Sequence, residues 1–288
     1  MNKKHMGLKT KNKISNTVIY TILIILSIVW LVPFILILLQ SFECGTNGGY
    51  TNQAIPTVWG FDNYIKLFKE THFLKWYKNT FIIALATCII QTIIVLCMSY
   101  TLSRLRFKSR KGLMNLMLIL GMFPGFLTMI VLYYVLKSID LTQDGAVPGL
   151  ILVYVASAGM GYYVSKGFFD TVPKSLDEAA RVDGATRFQV LYKVILPLSK
   201  PIVIYTLLTA FMAPWADFLF ASYISFGSPE HYNVAVGLWD FVNNKDLIPT
   251  HYTMFCAGGV VVAIPVTILF MLLQRYYVEG VTGGAVKG

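Results

Sequence analysis

Pro173-Lys-Ser-Leu-Asp-Glu-Ala-Ala-Arg-Val-Asp-Gly184, continued by Ala185-Thr-Arg-Phe-Gln-Val-Leu-Tyr-Lys-Val-Ile-Leu-Pro197, is a charged, patterned segment between long apolar runs. Ser175 and Glu178 have the S-x-x-E spacing of a capping box, in which hydroxyl and carboxylate each satisfy a free N–H at a helix start, and Pro173 supports a start here. Gly184 supplies the left-handed conformation that ends a helix cheaply, and Thr186 with Gln189 repeats the box immediately afterwards. Phe188, Leu191, Tyr192 and Ile195 then form one apolar stripe until Pro197 and Pro201 break the pattern. Leu176, Ala179 and Ala180 give the first helix a matching face, and the small alanines let another protein's surface come close. The segment is expected to be two short helices hinged at Gly184. A solvated hairpin resting on lipid headgroups is the plainer reading of the same pattern.

On either side the chain is too apolar to be a soluble domain, with 56% hydrophobic and 13% charged residues. A helix needs about 20 apolar residues to cross a hydrocarbon core. Six runs qualify, at 18–40, 79–102, 113–135, 146–168, 200–225 and 253–274. The fold class expected is therefore all-α and membrane-embedded, with six transmembrane helices and the patterned loop, 170–199, between the fourth and fifth. The domain reading is a basic N-terminus at 1–17, a transmembrane domain at 18–274 and a tail at 275–288. The first run is too long for a signal-peptide core and lacks a small-residue cleavage site, so it is kept as an uncleaved span.

The formal charge of +10 invites a nucleic-acid reading, but the basic residues flank apolar runs and do not gather on one soluble face. With the N-terminus inside, 18 of the 24 Lys and Arg fall on the cytoplasmic side, among them Lys3, Lys4, Arg104, Arg106, Lys166 and Lys193. That asymmetry is the one the positive-inside rule predicts, and it puts both termini in the cytoplasm. The outer segment 41–78 opens with a flexible stretch at 44–50. Behind Asp62 as a cap, Phe61, Tyr64, Ile65 and Phe68 predict a short amphipathic helix along the outer interface. The loop 226–252 reads as polar and external. Pro33, Pro124, Pro214 and Pro265 interrupt runs and invite kinks. Cys44, Cys88, Cys97 and Cys256 have no C-x-x-C spacing and read as small buried hydrophobes.

Glu178-Ala179-Ala180, three residues, Gly184, nine residues and Val194-Ile195-Leu196-Pro197 together resemble the EAA loop of ABC importer permeases, E-A-A-x3-G-x9-I-x-L-P, with Val194 where the pattern prefers Ile. The C-terminal Gln274-Arg-Tyr-Tyr-Val-Glu-Gly-Val-Thr-Gly-Gly-Ala-Val-Lys-Gly288 and the Pro214-Trp-Ala-Asp-Phe218 segment resemble the MalG-type subunit of oligosaccharide importers. The resemblance implies the type I permease fold, in which the loop is a coupling helix seated on an ATP-binding subunit. It gives that role to Glu178, Ala179, Ala180, Asp183, Gly184, Leu196 and Pro197. It implies a tail, Gly283, Gly284, Lys287 and Gly288, that reaches the ATPase dimer, and an external 226–252 loop that meets a solute-binding protein.

The resemblance also implies a MalF-like permease as heterodimer partner, a dimer of ATP-binding subunits, an oligosaccharide of the maltodextrin kind as substrate and the cytoplasmic membrane of a Gram-positive bacterium as location. Galactan-type oligosaccharides are the neighbouring alternative. No cofactor is expected in this chain, since no G-x-x-x-x-G-K-[ST] loop occurs and ATP and Mg would be bound by the partner. No metal or catalytic set is expected either, because His5, His72, His231 and His251 are dispersed. Asp217 is the one carboxylate deep within an expected span, so it must find a partner, and with Trp215 it marks a pathway, gating or helix-packing position. An ion-coupled transporter would want several such groups. Gln91 and Tyr100 can hydrogen-bond either a sugar or neighbouring helices.

Overall fold

A computed structural model describes residues 8–50, 53–157 and 159–282. The chain divides into two compact units, one running to Lys69 and including Phe241–Val260, the other comprising Glu70–Asp240 and the residues from Val261 onward. Among the described residues the only β-type pairing is an isolated bridge between Glu43 and Trp59.

In the first unit, α1 (Leu8–Ser41) continues through Pro33. Its apolar side chains are exposed along most of their run, with Trp30 at 74%. A helix that is apolar all round and uncovered suits lipid or another subunit and not water. Beyond α1 the chain does not run loose as expected for 44–50. Glu43 is buried and accepts hydrogen bonds from Gly45 N (2.5 Å), Thr57 N (2.5 Å) and Thr57 Oγ1 (2.8 Å). Burial pushes this carboxyl up, yet the hydrogen bonds from Thr57, Gly45 and Val58 outweigh it and hold the group below its ordinary value. Gly48 has a φ of +96°, and a Cβ there would stand 1.9 Å from the Thr250 carbonyl oxygen, so the turn requires glycine.

The expected amphipathic helix is α2 (Asp62–Glu70), with Asp62 its first residue and not its cap. Asn63 and Leu67 point inward while Phe61, Ile65 and Phe68 face out. Asn63 Nδ2 donates to the Ser41 and Glu43 carbonyls, and Thr253 Oγ1 donates to Asn63 Oδ1.

In the second unit, α3 (Phe73–Arg104) is followed by α4 (Arg110–Gly121), α5 (Gly125–Lys137), α6 (Ala146–Ala156), α7 (Gly159–Thr171), α8 (Lys174–Val182) and α9 (Arg187–Val190). Then come a π turn at Leu191–Ile195, α10 (Leu196–Leu198), α11 (Lys200–Ala216) and α12 (Leu219–Ser225); α13 (Val234–Asn243) and α14 (Ile248–Thr282) are each divided between the two units, since Phe241–Val260 belongs to the first. One apolar core gathers Ile83, Leu136, Leu150, Ile224 and Val236. A second gathers Leu96, Phe169, Val190, Leu191, Ile195 and Ile202.

Among the described residues three helices are long and apolar enough to cross a membrane, Ser15–Ser41, Phe73–Arg104 and Ile248–Tyr276. Counting each of two bent helix pairs as one span gives up to five. The expected run 113–135 is instead divided between α4 and α5, where Pro124 caps α5 and has no N–H to continue the ladder. The run 200–225 is divided at Asp217, whose ψ of 103° is extended, three residues after Pro214. Pro33 and Pro265 lie inside unbroken helices. The 226–252 loop is not simply polar: it carries α13, whose Val234, Val236 and Leu238 are buried.

Candidate functional site

The loop expected at 170–199 forms two short helices about a glycine. Pro173, with φ −57° and ψ 131°, is the residue before α8, and no side chain caps the helix. Ser175 therefore lies inside α8, and the expected Ser175–Glu178 box is absent; the proline ring presets the entry two residues earlier than a serine cap would. At the other end Ala185 N bonds to the Ala180 carbonyl (2.9 Å) and Gly184 N to the Arg181 carbonyl (3.1 Å), the two bonds of a Schellman ending. Gly184 has the φ of +83° that this ending needs. The second box is present in full: Gln189 N donates to Thr186 Oγ1 (3.3 Å), and Thr186 N donates to Gln189 Oε1 (2.7 Å).

The apolar stripe departs from its expected phase. Val190, Leu191 and Ile195 are buried while Phe188 and Tyr192 are exposed. The π turn at Leu191–Ile195 takes more residues per turn than an α-helix and so moves the inward face by a position. The helix pair Arg187–Leu198 and Lys200–Ala216 meets at 89° across Ser199. Wherever α11 crosses a membrane, the preceding arm runs along that membrane's surface.

Of the expected coupling residues, Glu178, Ala179, Asp183, Gly184 and Pro197 are exposed, whereas Ala180 and Leu196 are partly buried and pack on the second core. Val182 and Phe188, at 87% and 68% exposure, add apolar surface beside them. Two anchors escaped the sequence reading. Arg104, the last residue of α3, holds Asp177 of α8 with Nε to Oδ2 at 2.9 Å, and its Nη2 donates to the Val172 carbonyl (2.8 Å). Burial pushes the Asp177 carboxyl above its ordinary value, the Arg104 charge pulling the other way. Asp170 is likewise held by Ser103 Oγ (2.6 Å) and Lys166 Nζ (2.5 Å). A basic residue ending an apolar run, with carboxylates opening the next polar segment, was the available signal.

Asp217 finds partners on three sides. Tyr154 Oη of α6 donates to its Oδ2 (2.5 Å), Phe220 N of α12 donates to its Oδ1 (3.1 Å), and Asn233 Nδ2 donates to its carbonyl (2.7 Å). Asn233 also reaches the Pro214 carbonyl (3.3 Å), so the groups freed by the helix break are satisfied inside the protein. Trp215 is buried, 5.3 Å from the Tyr77 ring and 6.0 Å from that of Phe211. Tyr154 also lines a cleft of about 340 Å³ together with Gln91, Ser157, Tyr205 and Thr209. Tyr100 lies elsewhere, in a pocket beside Arg104. The tail residues Gly283, Gly284, Lys287 and Gly288 lie outside the described residues.

Residues 93–283, which hold this paired-helix arm, match the family model for "Binding-protein-dependent transport system inner membrane component". The chain belongs to that family. It is 36% identical over 283 residues to the maltodextrin transport system permease protein MalD of Streptococcus pneumoniae, covering 98% of this chain and 99% of that one. It is 34% identical to MdxG, the maltodextrin permease of Bacillus subtilis, and 35% identical to GanQ, the galactooligosaccharides permease of the same organism, over 98% and 93% of this chain and 100% and 94% of theirs. A crystal structure of a bacterial ABC transporter involved in alginate import superposes with a TM-score of 0.80, covering 96% of this chain and 100% of that one; at 22% identity it bears on the fold alone.

Proposed function

We propose that this chain is a permease subunit of an ATP-driven ABC importer for oligosaccharides, with maltodextrins as the substrate class. The observation that carries the reading is the arm itself. An exposed short helix, α8, closed by a Schellman turn, is pinned to α3 through Arg104 and Asp177, and the segment 187–198 that follows it opens on a full capping box and meets α11 at 89°. Such an arm can pass a partner's motion to membrane helices without deforming. In this reading the chain crosses the cytoplasmic membrane of a Gram-positive bacterium six times, with both termini inside. It pairs with a second permease, and ATP and Mg²⁺ are bound by a dimer of separate ATPase subunits. The external 226–252 segment meets a solute-binding protein, and the 283–288 tail meets the ATPases.

The test is sugar uptake in cells carrying Gly184→Trp or Glu178→Lys, with membrane insertion and ATPase co-purification measured alongside. Normal uptake with a disrupted loop would sink the reading. The similarity to a galactooligosaccharides permease favours a second substrate class. Titrating the cognate solute-binding protein with maltodextrins and with galactan oligosaccharides separates the two. An ion-coupled mechanism has little support, because Asp217 is engaged by Tyr154, Phe220 and Asn233 through fixed hydrogen bonds.

A further inference from the structure

Behind the coupling arm lies a second pocket, of about 420 Å³, whose lining is mostly polar. One wall is the end of α3, which contributes Tyr100 and Arg104, with Arg106 just beyond it. The other is a single face of α8, where Lys174, Asp177, Glu178 and Arg181 follow at i, i+3, i+4 and i+7. Arg187 of α9 closes the end. Five cations thus meet two carboxylates.

The arginine at the bottom is not fully used. The Arg104 side chain is only 4% exposed, with Nε in ion-pair range of Asp177 and Nη2 on the Val172 carbonyl, yet neither Nε nor the buried Nη1 has a hydrogen-bond partner. Asp177 Oδ1 beside it is also buried and unpartnered. A buried guanidinium N–H without an acceptor costs free energy, and so does a carboxylate oxygen without a donor. A ligand that removes both costs offers an anionic oxygen to Nη1 and a hydroxyl to Oδ1. The surrounding Arg106, Lys174, Arg181 and Arg187 favour a phosphate as that anion.

We infer that this pocket binds a phosphoglycerol anion, with the phosphate on Arg104 and the surrounding basic side chains and a glycerol hydroxyl donating to Asp177. That chemistry comes from two sources, the headgroup of phosphatidylglycerol or a soluble glycerol phosphate. The site sits where an apolar helix of 32 residues ends, and basic pockets between membrane helices on the cytoplasmic side are known takers of acidic headgroups. The orientation that puts this end on the inner leaflet is the one given under Proposed function. An occupant would tie α8 to α3 and stiffen the root of the arm.

The experiment uses the purified full chain, alone and assembled with its partner subunits. Native mass spectrometry after exchange into micelles with phosphatidylglycerol or phosphatidylcholine reads retained lipid; titration with sn-glycerol 3-phosphate in phosphatidylcholine nanodiscs reads the soluble source. Retention of phosphatidylglycerol over phosphatidylcholine is expected, falling roughly fivefold for each of Arg181→Gln and Arg187→Gln, the worth of one basic side chain near an acidic headgroup. These side chains are exposed and leave the Arg104–Asp177 pair intact, so the variants should fold. Saturable glycerol phosphate binding that the same variants weaken, without lipid preference, would support the site with the soluble source. Equal retention by wild type and variants, with no glycerol phosphate binding, would overturn it. So would retention on the isolated chain that vanishes on assembly, since the pocket would then be part of the ATPase seat. Failure to assemble with ATPase subunits counts against the coupling reading, not against the pocket.

Discussion

Arg104 Nε stands 2.9 Å from Asp177 Oδ2, and the two side chains are 4% and 13% exposed, so the membrane helix α3 and the surface helix α8 share a buried charge pair. Removing one partner leaves the other charged and dry, at a cost of about 3 kcal/mol or more, whereas replacing both by apolar groups of similar volume is often neutral. Asp177→Asn or Arg104→Gln is therefore expected to lower both thermal stability and uptake. The double variant R104M/D177L should recover much of the stability. Melting of the detergent-solubilised protein and uptake in cells check the pair.

The two expected capping boxes give opposite outcomes. Thr186→Ala should destabilise the arm by about 1 kcal/mol, since Thr186 accepts from Gln189 N. Ser175→Ala should change little, because Ser175 caps nothing. Hydrogen exchange of residues 174–198 reads both; equal effects would contradict the assigned helix start.

Gly237 in α13 has no room for a side chain: a Cβ there would stand 2.1 Å from the Trp76 ring, itself 4% exposed. Gly237→Ala should cost about 1–3 kcal/mol through overpacking and lower the amount of folded protein in the membrane. Gly112→Ala, with nothing within 4 Å of its added Cβ, is the control expected to leave that amount unchanged.

For Glu43 the direction of the pH effect follows from its lowered carboxyl. A group whose folded value lies below the unfolded one stabilises the fold above the unfolded value, 4.5, and loses that contribution as pH falls through its folded value. The 43–58 loop should loosen below about pH 4.5, with the Gly45 and Thr57 amides exchanging faster. Glu43→Gln should remove the pH dependence.

Asp217 separates a structural from a proton-carrying role. Asp217→Asn keeps an oxygen for Phe220 N or Tyr154 Oη and should retain most uptake, while Asp217→Leu leaves both donors unpaired and should lose it. Loss of uptake in Asp217→Asn with normal folding would favour proton coupling.

The sequence announced the loop and its class more fully than the details of packing. Gly184 and the Thr186–Gln189 box were legible because turn and cap chemistry are local, fixed by a positive φ or a side chain reaching three residues. The inward face of the second helix was misphased because a π turn leaves the apolar pattern unchanged while rotating it. The Arg104–Asp177 pair joins positions 73 residues apart, which periodicity cannot see. Proline breaks were readable as breaks, but not that Asn233 would fill the carbonyls freed near Pro214.

The 89° meeting of 187–198 with α11 makes Ser199 the elbow of a bell crank. In the proposed coupling role, a thrust normal to the bilayer on the α8 side would reach α11 as torque, so that span would be tipped and not slid along its length. The stroke available to the far end of α11 then grows with the length of that helix, 17 residues or about 25 Å at 1.5 Å each.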